Sequence, residues 1–214
     1  MKKKLIIFDL DGTLVDTVVD LNAGINHALN KYGYPSRSVE HTAHAIGNGI
    51  FVTILRSLPL EDPNEANKLL PDFRAYYREH YLDNSIRYRG MLNTLKILKK
   101  QGYLLAVATN KLDEIAKKMI NTLYPNIFDI IQGDVDGYPK KPDPTLINDV
   151  ISKLEVEKED VAYVGDSEVD VLTARNAKIK LVLVDYGFHR TDEFLSDDSG
   201  VHIKKPHQLL NIEK

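Results

Sequence analysis

Two aspartates one residue apart, Asp9 and Asp11, close an apolar run in "LIIFDLDGTLVDT". Four apolar residues in succession, Leu5 to Phe8, read as a strand buried on both faces, as in a parallel sheet. Side chains two apart in an extended chain point the same way, so both carboxylates share one side at the strand's end while Leu10 turns away. Neighbouring carboxylates repel unless a cation or a shared proton relieves them. The plainer reading is a turn at Asp11-Gly12 with Asp9 solvated beside it. This stretch alone does not separate the two.

Other polar groups fall at the ends of further expected strands. "AVATNK" ends in Thr109 and Asn110, "KKPDP" places Lys141 in a loop, and "YVGDSEVD" ends in Asp166 with Asp170 four residues on. Each has a plain alternative on its own: a helix cap, a turn before a helix, and a strand end with a capping serine. Their occurrence in order, each at a strand terminus, weighs against coincidence. Three carboxylates suit Mg²⁺, a hard ion that prefers oxygen ligands. A hydroxyl, a helix N-terminus and a lysine suit a phosphate. An anionic carboxylate can attack an anionic phosphate only where positive charge shields the approach, and Mg²⁺ with Lys141 would supply it. One aspartate would then be a nucleophile forming an aspartyl-phosphate. The other would protonate the leaving oxygen and later activate water.

The elements that must position these groups follow from periodicity. Beyond Gly90, helical patterns ("MLNTLKILKKQG", "NKLDEIAKKMINTLY", "DPTLINDVISKL", "EVDVLTARNA") alternate with strand patterns ("YLLAVAT", "FDIIQG", "DVAYVGD", "KLVLVDYG", "VHIKK"). Asn110 is placed to cap the second of these helices. The alternation implies an α/β fold, a doubly wound parallel sheet with helices on both faces. Residues 15–86 break the rhythm with four expected helices and no convincing strand. They are read as an all-helical insertion, leaving residues 1–14 and 87–214 as the α/β core. Such an insertion would hang over the strand ends, where open α/β sheets bind ligands.

Composition narrows the class. The chain has 214 residues, 43% of them hydrophobic and 28% charged, with a net charge of −3. No basic block exceeds Lys2-Lys3-Lys4, so no nucleic-acid partner is expected. No apolar run is long enough for a membrane span. Absence of cysteine excludes disulfides, thiolate metal sites and cysteine nucleophiles. A cytoplasmic location follows by default. His41 and His44 share a helical face without a third ligand nearby. Tyr76, Tyr77 and Tyr81 are read as packing within the insertion.

"FDLDGTLVDT", "VATNK", "KKPDP" and "VGDSEVD" resemble the four signature motifs of the haloacid dehalogenase superfamily, over essentially the whole chain. The insertion directly after the first motif resembles the C1-cap branch. "IGNGI", "YREHY" and "GMLNTLKILKKQGYLLAVATNK" are most similar to phosphoglycolate phosphatases. The resemblance implies a Rossmann-like core, Asp9 as nucleophile and Asp11 as acid/base. It further implies Mg²⁺ held by Asp9, the main-chain carbonyl of Asp11, and Asp166. Thr109, Asn110 and Lys141 would bind the phosphoryl group, and Asp170 would support the site from behind. One departure is "DYGFHR", where relatives often carry a tryptophan before Gly-Tyr.

The expected partner is a small phosphorylated metabolite, with the chain a monomer or homodimer. A sugar-phosphate mutase, an inorganic pyrophosphatase and a catalytically silent ligand-binding relative stand as alternatives. Specificity is expected in the insertion, at Gly47, Asn48 and Gly49. Glycines there allow close backbone approach, and a helix beginning near Ile50 would offer free N–H groups to an anion such as a carboxylate. The competing reading of this loop is a helix-helix turn.

Overall fold

In the computed structural model, which describes residues 4–189 and 200–212, β1 (Leu5–Phe8) is the central strand of a six-stranded parallel sheet. Lys2 and Lys3 lie outside the described residues. β4 (Leu104–Leu112) and β5 (Ile130–Asp134) extend the sheet on one side of β1. β6 (Val161–Gly165), β7 (Lys180–Val184) and β8 (Val201–Ile203) extend it on the other. All four residues of β1 are buried, as expected for a strand covered on both faces. Their alternation sends Ile6 and Phe8 into one core layer and Leu5 and Ile7 into the other.

Two pairs of helices cover these faces. α5 (Met91–Lys100) and α6 (Asp113–Leu123) pack Met91, Leu95, Leu98, Met119 and Ile120 against Ile6 and Phe8. α7 (Thr145–Leu154) and α8 (Glu168–Ala177) pack Leu146, Ile147, Val150, Val171 and Ala174 against Leu5 and Ile7. Each fully buried aliphatic side chain of this kind contributes about 1.5–3 kcal/mol.

The insertion is α-helical: α1 (Val18–Lys31), α2 (Val39–Ala45), α3 (Ile50–Ser57) and α4 (Pro63–His80). It has its own core, in which Leu21, Ile25, Leu29, Ile54, Leu69 and Phe73 meet. Ile115 of α6 joins that cluster, so the insertion rests on the helix that follows β4. One expectation is corrected here. A short antiparallel ribbon, β2 (Val15–Asp16) with β3 (Ile86–Arg87), stands at the base of a segment read as free of strands. Two residues per strand are too few to leave a periodic signal.

The base is locked by Asp20, in the first turn of α1 and almost fully buried. Its carboxylate accepts from the Asn84 N–H, Asn84 Nδ2, the Ser85 N–H and Ser85 Oγ at 2.7–3.0 Å. These bonds tie the outgoing chain to the incoming one where the insertion leaves the core. A second correction concerns Asn110. β4 runs on to Leu112, and α6 begins at Asp113 with no side-chain cap, so Asn110 lies inside a strand and caps nothing. Pairing of Leu112 with Asp134 of β5 holds the chain extended that far.

Candidate active site

The carboxyl ends of β1, β4 and β6, neighbours at the sheet centre, meet the insertion across one cleft. Asp9, Asp11, Thr109, Asn110, Lys111 and Asp166 line its sheet side. Leu21, Ile46, Ile50, Thr53, Phe73 and Tyr77 line its helical side. Asp11-Gly12 does form a turn: the N–H groups of Thr13, Leu14 and Val15 converge on the Leu10 carbonyl. The turn of the plainer reading is therefore present and delivers Asp11 to the cleft, but Asp9 beside it is buried, not solvated. Gly12 has φ +81°, and a side chain there would collide with the Asp166 carboxylate, 2.3 Å from where a Cβ would stand. Only glycine lets the turn pass so close.

β4 has a register irregularity between Ala108 and Leu112. A regular strand would turn alternate residues away, whereas a bulge re-aims them. Thr109, Asn110 and Lys111 all line the cleft as a result. Thr109 Oγ1 accepts from the Lys111 N–H, which leaves the hydroxyl proton free to donate. The Asn110 side chain is fully engaged. Its Nδ2 donates to the carbonyls of Gly47 and Lys141, and its Oδ1 accepts from the Lys141 N–H. Asn110 thus fixes the Lys141 backbone and pins the Gly47 loop to the core.

Lys141 is buried between Asp9 and Asp170, with Nζ 2.9 Å from an oxygen of each, and it donates to the Tyr163 hydroxyl at 2.7 Å. Its ammonium neutralises two carboxylates that would otherwise repel. Burial pushes the Asp9 carboxyl up to about 6, with Lys141 pulling down and Asp170 and Asp11 pushing further up. Burial also raises Asp166 well above the carboxylate range, helped by Asp170 and Asp9. For Asp170, burial acts upward but is outweighed by Lys141, Ser167 and Tyr163, so that carboxyl is lowered.

Oxygens of Asp9, Asp166 and Asp170 lie within 4.8 Å of one another, close enough to share an ion. Their free valences differ. Asp170 is saturated: Oδ1 accepts from Lys141 and Tyr163, while Oδ2 accepts from the Asp166 N–H, the Ser167 N–H and Ser167 Oγ. It orients the site and has nothing left for a metal. Asp9 Oδ1 is buried without a hydrogen bond, since Lys141 approaches it off-angle. Asp166 accepts one bond on each oxygen, from Thr13 Oγ1 and the Phe188 N–H. A buried carboxylate oxygen without a hydrogen bond, beside a second carboxylate, fits a hard divalent cation.

Asp11 is held differently. Its Oδ1 accepts from Thr17 Oγ1 at 2.6 Å and from Lys111 Nζ at 2.8 Å. Lys111 Nζ also donates to the Tyr77 hydroxyl at 2.7 Å. Sequence reading assigned no role to Lys111, Thr17 or Asp20, and it treated Tyr77 as packing. The available signal was the lysine inside "TNK", an unusual residue for the end of a buried strand. Gly47 and Gly49 line the cleft, and Asn48 is not among its lining residues. His189, from "DYGFHR", also lines it.

Residues 6–184 match the family model of haloacid dehalogenase-like hydrolases. The chain belongs to this family. Phosphoglycolate phosphatase 1 of Pseudomonas aeruginosa is 33% identical over 192 residues, which cover 87% of this chain and 71% of that protein. The phosphoglycolate phosphatase of Vibrio cholerae is 33% identical over 214 residues, covering 92% and 94%. A crystal structure from Lactobacillus delbrueckii subsp. bulgaricus, provisionally named a phosphoglycolate phosphatase, superposes with a TM-score of 0.91 at 29% identity, covering 98% of this chain and 97% of that one. Among the described residues, no helix is long and apolar enough to cross a membrane.

Proposed function

We propose that this haloacid dehalogenase-like hydrolase is a Mg²⁺-dependent phosphatase that cleaves a small phosphomonoester of the phosphoglycolate kind through a phosphorylated Asp9. The enzyme is a phosphoric monoester hydrolase. The observation that carries the mechanism is the buried Oδ1 of Asp9, without a hydrogen bond though ion-paired with Lys141, on a residue that lines the cleft beside Asp166. Mg²⁺, held by Asp9, the Asp11 main-chain carbonyl and Asp166, would supply the positive charge that lets a carboxylate approach a phosphate.

The remaining steps belong to the chain. The Asp9 carboxylate attacks phosphorus, and the bond from phosphorus to the leaving oxygen breaks. Asp11 gives its proton to that oxygen. Asp11, now ionised, takes a proton from water as the water oxygen attacks phosphorus, and the bond from phosphorus to Asp9 breaks to free phosphate. Thr109 donates its hydroxyl to the phosphoryl oxygens, and Lys141, fixed by Asn110, neutralises their charge. Asp170 holds Lys141 in place. Residues 15–86 act as a cap that closes the cleft around the leaving group, with Gly47 and Gly49 presenting backbone to it while Asn48 shapes the loop.

Phosphate release with Mg²⁺ from 2-phosphoglycolate, an aryl phosphate, sugar phosphates and pyrophosphate tests this reading. Release from the small monoesters, abolished by a chelator and restored by Mg²⁺, is expected. Full turnover in excess chelator would overturn the metal assignment.

A further inference from the structure

The cleft has a lopsided charge. Among the described residues, its lining includes three carboxylates (Asp9, Asp11 and Asp166) and one permanent cation, Lys111. His189 also lines it, but burial depresses the imidazole below the usual histidine value, against the pull of Asp170, so it stays neutral near pH 7. From the insertion come only apolar side chains, glycines, Thr53 and Tyr77. A phosphoryl group has Lys141 and Thr109 to meet it. A second negative charge on the substrate has no arginine or lysine of the insertion to turn to among the lining residues.

Lys111 is built for that task. Its side chain is 4% exposed, yet it borders the cleft. The ammonium stands against Asp11 Oδ1, so it lies one carboxylate's width from the leaving oxygen that Asp11 would protonate. That separation matches a two-carbon unit carrying a charge at its far end. Tyr77 completes the arrangement: its oxygen accepts from Lys111 Nζ, which leaves the phenolic proton free to donate. An ammonium and a hydroxyl side by side match the two oxygens of a carboxylate.

Resting on the phosphomonoesterase reading above, we propose that Lys111 Nζ and the Tyr77 hydroxyl form the recognition point for a carboxylate on the leaving group. One donor comes from strand β4 of the core and the other from α4 of the insertion. The apolar remainder of the helical wall has few partners for the hydroxyls of a sugar and disfavours such leaving groups.

The test compares 2-phosphoglycolate with 2-hydroxyethyl phosphate, a neutral leaving group of the same length, in Mg²⁺. Wild type prefers the carboxylate ester in kcat/KM. Lys111→Gln, which can still hydrogen-bond Asp11 and Tyr77 without the charge, lowers that preference roughly 10- to 100-fold. Tyr77→Phe lowers it roughly 2- to 10-fold. Lys111→Arg, which keeps the charge, retains most of it and serves if the glutamine variant folds poorly. An active wild type whose preference survives in Lys111→Gln, or vanishes in a Lys111→Arg enzyme that still cleaves the neutral ester, overturns the proposal alone. A wild type inert toward both esters overturns the phosphatase reading and this proposal with it.

Discussion

The sheet edge lines the cleft with Asp9, Asp11, Thr109, Lys111 and Asp166, whereas the insertion lines it with Leu21, Ile46, Ile50, Thr53, Phe73 and Tyr77. The sheet edge can hold charge because parallel strands end together beside helix N-termini, and buried ions there can be paired from several elements at once. Asp170 alone receives five hydrogen bonds, from Lys141, from Tyr163 of β6 and from Asp166 and Ser167 between β6 and α8. The insertion satisfies one buried carboxylate, Asp20, at its base. Among the described residues, its side of the cleft is lined without a charged side chain, and an unpaired ion there would carry several kcal/mol of desolvation. Reaction chemistry thus sits on one wall and shape on the other. Hydrogen bonds from Lys111 to Tyr77, from Asn110 to the Gly47 carbonyl and from Thr17 to Asp11 cross between them at the cleft. Ion pairs of Arg78 with Glu114 and Arg74 with Asp136 join them farther out.

The largest effect that would break this division lies on the charged wall. Asp9→Asn removes the nucleophile, and turnover of every phosphomonoester should vanish while the fold persists. Rapid acid quench with radiolabelled phosphate ester should trap label on wild type and none on the variant. Near-native turnover by Asp9→Asn would rule out the covalent step. Asp11→Asn comes next, losing roughly 10²–10⁴-fold on alkyl phosphates that need a protonated leaving group. An aryl phosphate, whose leaving oxygen needs little protonation, should lose much less. Equal losses on both would make Asp11 a structural partner of Lys111 and Thr17 only.

On the other wall, Asp20→Ala tests whether the insertion is fastened independently of the chemistry. Four donors lose their acceptor, a destabilisation of about 2–4 kcal/mol. Thermal unfolding should shift down by roughly 5–15 °C. Well below that transition, kcat on an aryl phosphate should stay near wild type while KM for 2-phosphoglycolate rises. A collapse of kcat on both substrates would show that the base of the insertion governs the reaction itself.

The smallest effect concerns pH. Asp9 is raised from 3.8 to about 6, so the folded metal-free protein keeps a proton that the unfolded chain releases. That contribution to stability is complete below the unfolded value and lost as pH rises through about 6. A divalent cation needs the ionised carboxylate and competes with the proton. Mg²⁺ should therefore raise Tm by a few degrees near pH 7.5 and by less than half as much near pH 5. The same shift at both values would locate the metal away from Asp9.

Much of this was legible because it is local. The apolar run of β1 with two aspartates behind it, and the helix spacings of α1, α5 and α8, fix elements within a dozen residues. Asp170 four residues after Asp166 was likewise readable as a group inside the next helix. What escaped depends on partners far along the chain. Asn110 follows a strand-like run and could cap a helix, but pairing of Leu112 with Asp134 extended the strand past it. Asp20 reads as an ordinary acidic residue in a first helical turn, and its burial depends on Asn84 and Ser85 more than sixty residues away.

The sequence by itself determined the α/β class, the helical insertion and the order of the polar groups at the strand ends, because each rests on periodicity or on the behaviour of a residue next to its neighbours. Tertiary structure decided which of those groups retain free valence. Asp170 spends its oxygens on Lys141, Tyr163, Ser167 and the Asp166 N–H, while Asp9 keeps one oxygen without a hydrogen bond. It also decided that Lys111, through the irregularity in β4, turns toward Asp11 and Tyr77. Both outcomes are matters of where hydrogen-bond partners arrive in space, and sequence spacing does not specify that when the partners sit on different strands.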